Sequence, residues 1–236
     1  MVCNSGVRMA PSVDGEIHWF AEHGLYDGLF LMRDEESGTY WDHMTGEAVY
    51  GPRVGSTLEV SNLRQTTVAQ VLGQDPDALV AISDQALRPD EAMALDGLLG
   101  RIRGRLGRMF QETVDEEDDR LPTMDLGMGI WDGERARYYP YDRIAGGGNA
   151  VLDDFGGRQV VVYLDPSAYA LATAYTDSDG ITWDGDVLRF SDGTYIERGV
   201  FHDASGKRAQ IERPLQIFTR WYGFSLTFPQ TEIFGH

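Results

Sequence analysis

The side chains best suited to chemistry cluster towards the beginning of this sequence. Cys3 is the single cysteine, and His23, His43 and Met44 follow it. Thiolate, imidazole and thioether together bind soft metals. Cys3, His23, His43 and Met44 are therefore a candidate ligand set for copper or another transition metal. Their spacing is not diagnostic in the way a four-cysteine zinc pattern is. Neighbouring strand residues face opposite sides, so His43 and Met44 can share a site only in a turn. Cys3 with His43, or with His23, is also a candidate nucleophile and base, because a nearby imidazole lowers a thiol's pKa. No nucleophile-elbow or oxyanion-hole motif accompanies the pair. The plainer alternative is a buried thiol beside a hydrogen-bonded histidine.

Other residues offer binding rather than reaction. Tyr40, Trp41, Trp221 and Tyr222 can line a cleft for a small molecule, although such aromatics also fill cores. Gly146-Gly147-Gly148-Asn149 has no P-loop or dinucleotide context and reads as a turn. Asp153, Asp154 and Asp165 could hold a hard cation, with capping and turn roles as the competing explanation.

These residues must be held by elements, and the pattern is mainly β. Residues 13–20 and 25–32 are strand-like, with a polar turn at Asp34-Glu35-Glu36-Ser37-Gly38. Further short strands are expected at 39–41, 49–50, 57–60 and 79–82. Thr66 or Thr67 can cap a short helix at 66–72. Residues 89–112 carry Leu95, Leu98, Leu99, Ile102, Leu106, Met109 and Phe110 at helical spacing. The β pattern then resumes, with a hairpin about Asp132-Gly133 and a run at 159–163 apolar enough for a central strand. Strands are also expected at 170–175, 187–190, 194–197 and 209–211. Regular short strands of this kind indicate a sandwich or a partly open barrel.

Composition narrows the function classes. Hydrophobic residues make up 42% of the 236, which excludes wholesale disorder. A formal charge of −18 argues against a nucleic-acid partner. No apolar run approaches the roughly 20 residues of a membrane helix, and no signal-peptide pattern precedes the first motif. One cysteine allows no intrachain disulfide, which leaves the compartment open. Lys207 is the only lysine.

Weak self-similarity runs through the chain. Val13-Asp14-Gly15-Glu16-Ile17-His18-Trp19-Phe20 is similar to Trp183-Asp184-Gly185-Asp186-Val187-Leu188-Arg189-Phe190. Thr45-Gly46-Glu47-Ala48 is similar to Ser205-Gly206-Lys207-Arg208-Ala209, and Asp75-Pro76 through Val80 to Phe228-Pro229 through Ile233. On that register Cys3 lies opposite Asp165, and the first copy lacks the strands that precede this point in the second. Either strands from elsewhere complete the first module, or Met1 is not the natural start. The expected division is a first β module at 1–85, a helical connector at 86–122 and a second, homologous antiparallel β module at 123–236.

Gly133-Glu134-Arg135-Ala136-Arg137-Tyr138-Tyr139-Pro140, with Leu152-Asp153-Asp154-Phe155-Gly156-Gly157, resembles the ARAYP…VNDxxGG pattern of domain-of-unknown-function family 3179. Thr39 to Ala48 with Gly51-Pro52 resembles that family's TGEA segment, its most specific part. Phe218 to Phe224, Phe228-Pro229 and Glu232-Ile233 also fit. Members often carry a C-P-x-C motif, of which Cys3 looks like the second cysteine; the first would fall before Met1. The resemblance implies no established activity.

Two functional expectations follow. One is a metal- or thiol-dependent redox protein built on Cys3 and His43, assisted by His23 or Met44. The other is a non-catalytic binding or scaffold protein using an aromatic cleft between the repeats.

Overall fold

A computed structural model describes residues 6–79, 113–114 and 117–235. Among them the protein is mainly β, with several antiparallel sheets, few helices and no closed barrel. The expected helix at 89–112, and with it most of the connector, lies outside the described residues, as do Cys3 and most of the expected strand at 79–82.

The N-terminal half begins with a small sheet pairing Arg8–Met9 with Val60–Ser61, and a hairpin of Ser12–Val13 with Glu16–Ile17. A four-stranded antiparallel meander follows: Phe20–Tyr26, Leu29–Asp34, Tyr40–Asp42 and Ala48–Tyr50. Its first turn, Asp27-Gly28, has positive φ at both residues, the geometry that matches the twist of the flanking strands. Val13, Trp41, Ala48 and Leu58 form the core beneath it. A short helix, α1 (Val68–Gln74), closes this half. Thr67 and Gln70 make a reciprocal capping box, so the free N–H groups at its start are partly satisfied within the segment.

The C-terminal half is layered. One sheet runs in the order Leu215–Arg220, Leu126–Trp131, Ala136–Pro140, Glu232–Ile233, the last pairing being parallel. A three-stranded sheet, Ala150–Phe155, Arg158–Asp165 and Ala170–Tyr175, packs on it. A second meander, Ile181–Asp184, Val187–Phe190, Tyr195–Glu197 and Val200–His202, packs on the far side. The 159–163 run is the middle strand of the central layer, as its apolar character suggests. Val160 and Val162 enter one core while Val161 and Tyr163 enter the other. Alternation of side chains across a strand makes a continuous apolar run necessary there.

Several local expectations change. Residues 209–211 form no strand; they follow the isolated His202–Arg208 bridge. Two short helices interrupt the β pattern: α2 (Tyr141–Gly146) and α3 (Trp221–Thr227). Helix α3 follows its strand without a loop because the Trp221 and Tyr222 N–H groups find the Asp125 and Thr123 carbonyls. The matched segments of the two halves also turn at different residues. The first hairpin turns at Asp14-Gly15, whereas Asp184 pairs with Val187 around Gly185-Asp186. No helix among the described residues is long and apolar enough to cross a membrane.

Candidate functional site

Cys3 lies outside the described residues, and His23, His43 and Met44 take up separate surroundings. Met44 is fully buried among Trp131, Tyr138, Ile217, Trp221, Phe224 and Ile233, where its thioether accepts the Thr227 hydroxyl at 3.2 Å. It follows Asp42, whose carboxylate caps the turn by accepting the Met44 and Thr45 N–H groups. That turn sends Met44 into the core of the other half, while half-buried His43 presents its ring edge-on to Phe30. His23 is exposed on the first strand of the meander, edge-on to Tyr40.

The aromatic residues are divided as well. Trp41 lies in the first core, against Phe20, and donates its indole N–H to Asp34 at 2.7 Å. Trp221 is fully buried in a different cluster, against Tyr138, with its indole N–H on the Asp118 carbonyl. Tyr222 is buried beside it on α3, and Tyr40 is half-buried against Tyr50. Trp41, Trp221 and Tyr222 thus serve as core volume, with indole donors satisfied as buried indoles must be.

The charged motif residues have an architectural explanation. Arg137 bridges Asp153 at 2.7 Å and pairs with Glu232, and Tyr139 donates to the same Asp153 oxygen at 2.9 Å. Three strands distant in sequence are tied together by one guanidinium. Burial opposes its charge, but Glu232 and Asp153 more than offset that and raise the Arg137 pKa. Asp154 caps its own turn by accepting the Gly157 N–H. Asp165 accepts the Ser167 and Ala168 N–H groups on one oxygen and Gln70 Nε2 on the other. The TGEA, GERA and FPQTE segments meet around a cavity of about 530 Å³ bounded by Thr45, Trp131, Arg135, Phe228 and Glu232.

A second cleft has a sharper chemical character. Helix α1 docks on the C-terminal half through buried Gln70, whose amide reaches Asp165, at the end of the central strand Arg158–Asp165, at 2.7 Å. Its neighbours Arg64 and Gln74 both donate to the carbonyl of Gly199, at 3.0 and 3.4 Å. Gly199 sits in the tight Arg198-Gly199 turn with positive φ. That backbone conformation favours glycine, and an added side-chain carbon would push on Arg64 Nη2, 2.9 Å away. Beside this contact opens a cavity of about 440 Å³, lined by Arg64, Arg208 and Arg213 together with Val200, Phe201 and Ile211.

None of these three arginines has an ion-pair partner among the described residues. Their contacts are with neutral oxygens: Arg64 with Gly199, Arg208 with the Gln74 carbonyl, and Arg213 with the Thr173 carbonyl at 2.6 Å and the Tyr163 hydroxyl at 3.4 Å. Such contacts orient a guanidinium without neutralising it. Burial, and after it the like charge of Arg213, lowers the pKa of Arg64. Asp165 attracts the Arg64 charge from beyond salt-bridge distance, and oriented guanidinium groups without a paired carboxylate are what a planar anion needs.

No spacing rule links Arg64 on the approach to α1 with Arg208 and Arg213 beyond the second meander, so the sequence held no signal for this cleft. The nearest local signal was the Thr66 or Thr67 cap of the short helix expected at 66–72, which forms at Val68–Gln74.

No curated protein and no solved structure matches this chain. The model of the family described as "Protein of unknown function (DUF3179)" matches residues 1–231. The chain belongs to that family.

Proposed function

We propose that this is a non-catalytic binding protein whose ligand is a small organic anion held in the Arg64–Arg208–Arg213 cleft. One observation carries the reading. In a chain of net charge −18, three guanidinium groups line one cavity with no carboxylate in salt-bridge range among the described residues. Val200, Phe201 and Ile211 give the same cavity an apolar wall. The ligand class is then a carboxylate or phosphate head on a short apolar body. A cavity of about 440 Å³ is within the usual size range for small-molecule sites. The binding alternative from the sequence survives in altered form: basic groups, rather than Tyr40, Trp41, Trp221 and Tyr222, provide the recognition.

The redox reading has less support. Met44 is committed to the core, and Cys3 lies outside the described residues. Elemental analysis of wild type and Cys3→Ser tests it directly.

Calorimetric titration with benzoate, phenyl phosphate and the neutral control benzamide tests the anion site. Wild type is expected to bind an anion and not benzamide. Arg64→Gln and Arg213→Gln should each weaken binding by about 1.5–3 kcal/mol, the usual value of a charge-assisted hydrogen bond. Equal binding of benzamide, no binding of either anion, or variants that bind as well as wild type would overturn the proposal. Circular dichroism confirms that the variants fold.

A further inference from the structure

The three groups that can surround a cation lie elsewhere, in the first meander, and use a histidine that sequence type alone did not select. His18 is only 3% exposed, and its Nδ1 has no hydrogen-bond partner. That nitrogen points at two carboxylates: Asp34 Oδ1 at 3.6 Å and Glu36 Oε2 at 3.8 Å. Both separations are too long for a hydrogen bond. All three donor atoms nevertheless lie within 4.8 Å of one another. Donors held about 2.1 Å from one tetrahedral ion are roughly 3.4 Å apart. The observed spacing therefore suits a shared ion better than direct contact.

We infer that His18, Asp34 and Glu36 form a binding site for a divalent cation of the zinc type.

The chain places the ligands by ordinary means. The His18 N–H is anchored on the Pro11 carbonyl, and the Glu35 N–H on that of Trp19, which draws the 34–38 turn over His18. Asp34 is fully buried at the end of its strand. Its Oδ1 accepts the Ser37 N–H at 2.5 Å and the Gly38 N–H at 3.2 Å, while Oδ2 accepts Ser37 Oγ and Trp41 Nε1, both at 2.7 Å. Ligating carboxylates are commonly held by such outer hydrogen bonds. Glu36 accepts the Trp19 N–H and remains partly exposed, so water can reach the open side of the site. Neutral imidazole with two carboxylates presents two negative charges, matching a divalent ion. One nitrogen and two oxygens favour zinc or manganese over the thiol-seeking Cu(I).

Zinc titration of the chelator-treated full chain, followed by calorimetry and tryptophan fluorescence, tests the site. One zinc per chain is expected, with a fluorescence change because the Trp41 indole donates to a ligand, Asp34. Glu36→Gln and His18→Gln should each weaken binding at least about tenfold, whereas His23→Gln and His43→Gln should not. Should His18→Gln fail to fold, Glu36→Gln, altering a partly exposed group, still decides the matter. A 15N shift at His18 Nδ1 on zinc addition would identify the liganding atom. Absence of zinc binding to the folded wild type overturns the inference. So does binding that survives both His18→Gln and Glu36→Gln, or that is lost equally with His43→Gln. This outcome is independent of the arginine cleft, which shares none of these residues.

Discussion

Asp34 shows how much one side chain can organise here. Its four acceptor contacts join the 34–38 turn to Trp41 in the first core. Burial alone would raise its pKa, but the hydrogen bonds from Ser37 and Trp41, with His18 nearby, outweigh that and lower it below 3.8. A carboxyl with a depressed folded pKa contributes stability above its unfolded pKa and loses it as pH falls through the folded value. Asp34→Asn should therefore be less stable than wild type at neutral pH. Its deficit should shrink as pH drops below about 3.9, the ordinary aspartate value, in urea melts across the acid range. A deficit independent of pH would show that the lost contribution does not depend on the Asp34 charge. The turn at 34–38 was legible in the sequence because its residue types signal a local event. The convergence of His18 on that turn was not, because it depends on how two strands close.

At the scale of elements, sheets and helix α3 meet so tightly that backbone composition becomes decisive. Gly129, in the strand Leu126–Trp131, has no space for a side chain: an added carbon would lie 2.1 Å from the Phe224 ring. Gly129→Ala should cost about 1–3 kcal/mol by overpacking, seen as a lower thermal midpoint by calorimetry. Adding Phe224→Leu should recover part of the loss, and failure to do so would place the strain elsewhere. Strands at 159–163, 170–175 and 187–190 were readable as short apolar runs between turn signals, whereas the expected strands 13–20 and 25–32 are each split by a turn, at Asp14-Gly15 and Asp27-Gly28. Helices α2 and α3 were not readable. Each spans about two turns, too short for helical periodicity to stand out. The start of α3 is stabilised by carbonyls at 123 and 125, remote in sequence.

For the whole molecule, charge and connectivity matter most. A net charge of −18 implies self-repulsion in the compact state. Raising sodium chloride from about 0.01 M to about 1 M shortens the screening length roughly tenfold and should raise the thermal midpoint. A falling midpoint would mean that ion pairs such as Arg137 with Asp153 outweigh the repulsion. Acidity, β class, the positions of many strands and family membership all come from residue order and composition, because each depends on neighbours along the chain or on sums over it. The tertiary structure alone decided that Met44 belongs to the core, that the selected aromatics part company, and that His18 faces Asp34 and Glu36. It also decided that Arg64 joins Arg208 and Arg213. The physical reason is common to all four: each depends on side chains from segments that only folding brings together, and no local propensity or spacing records that meeting.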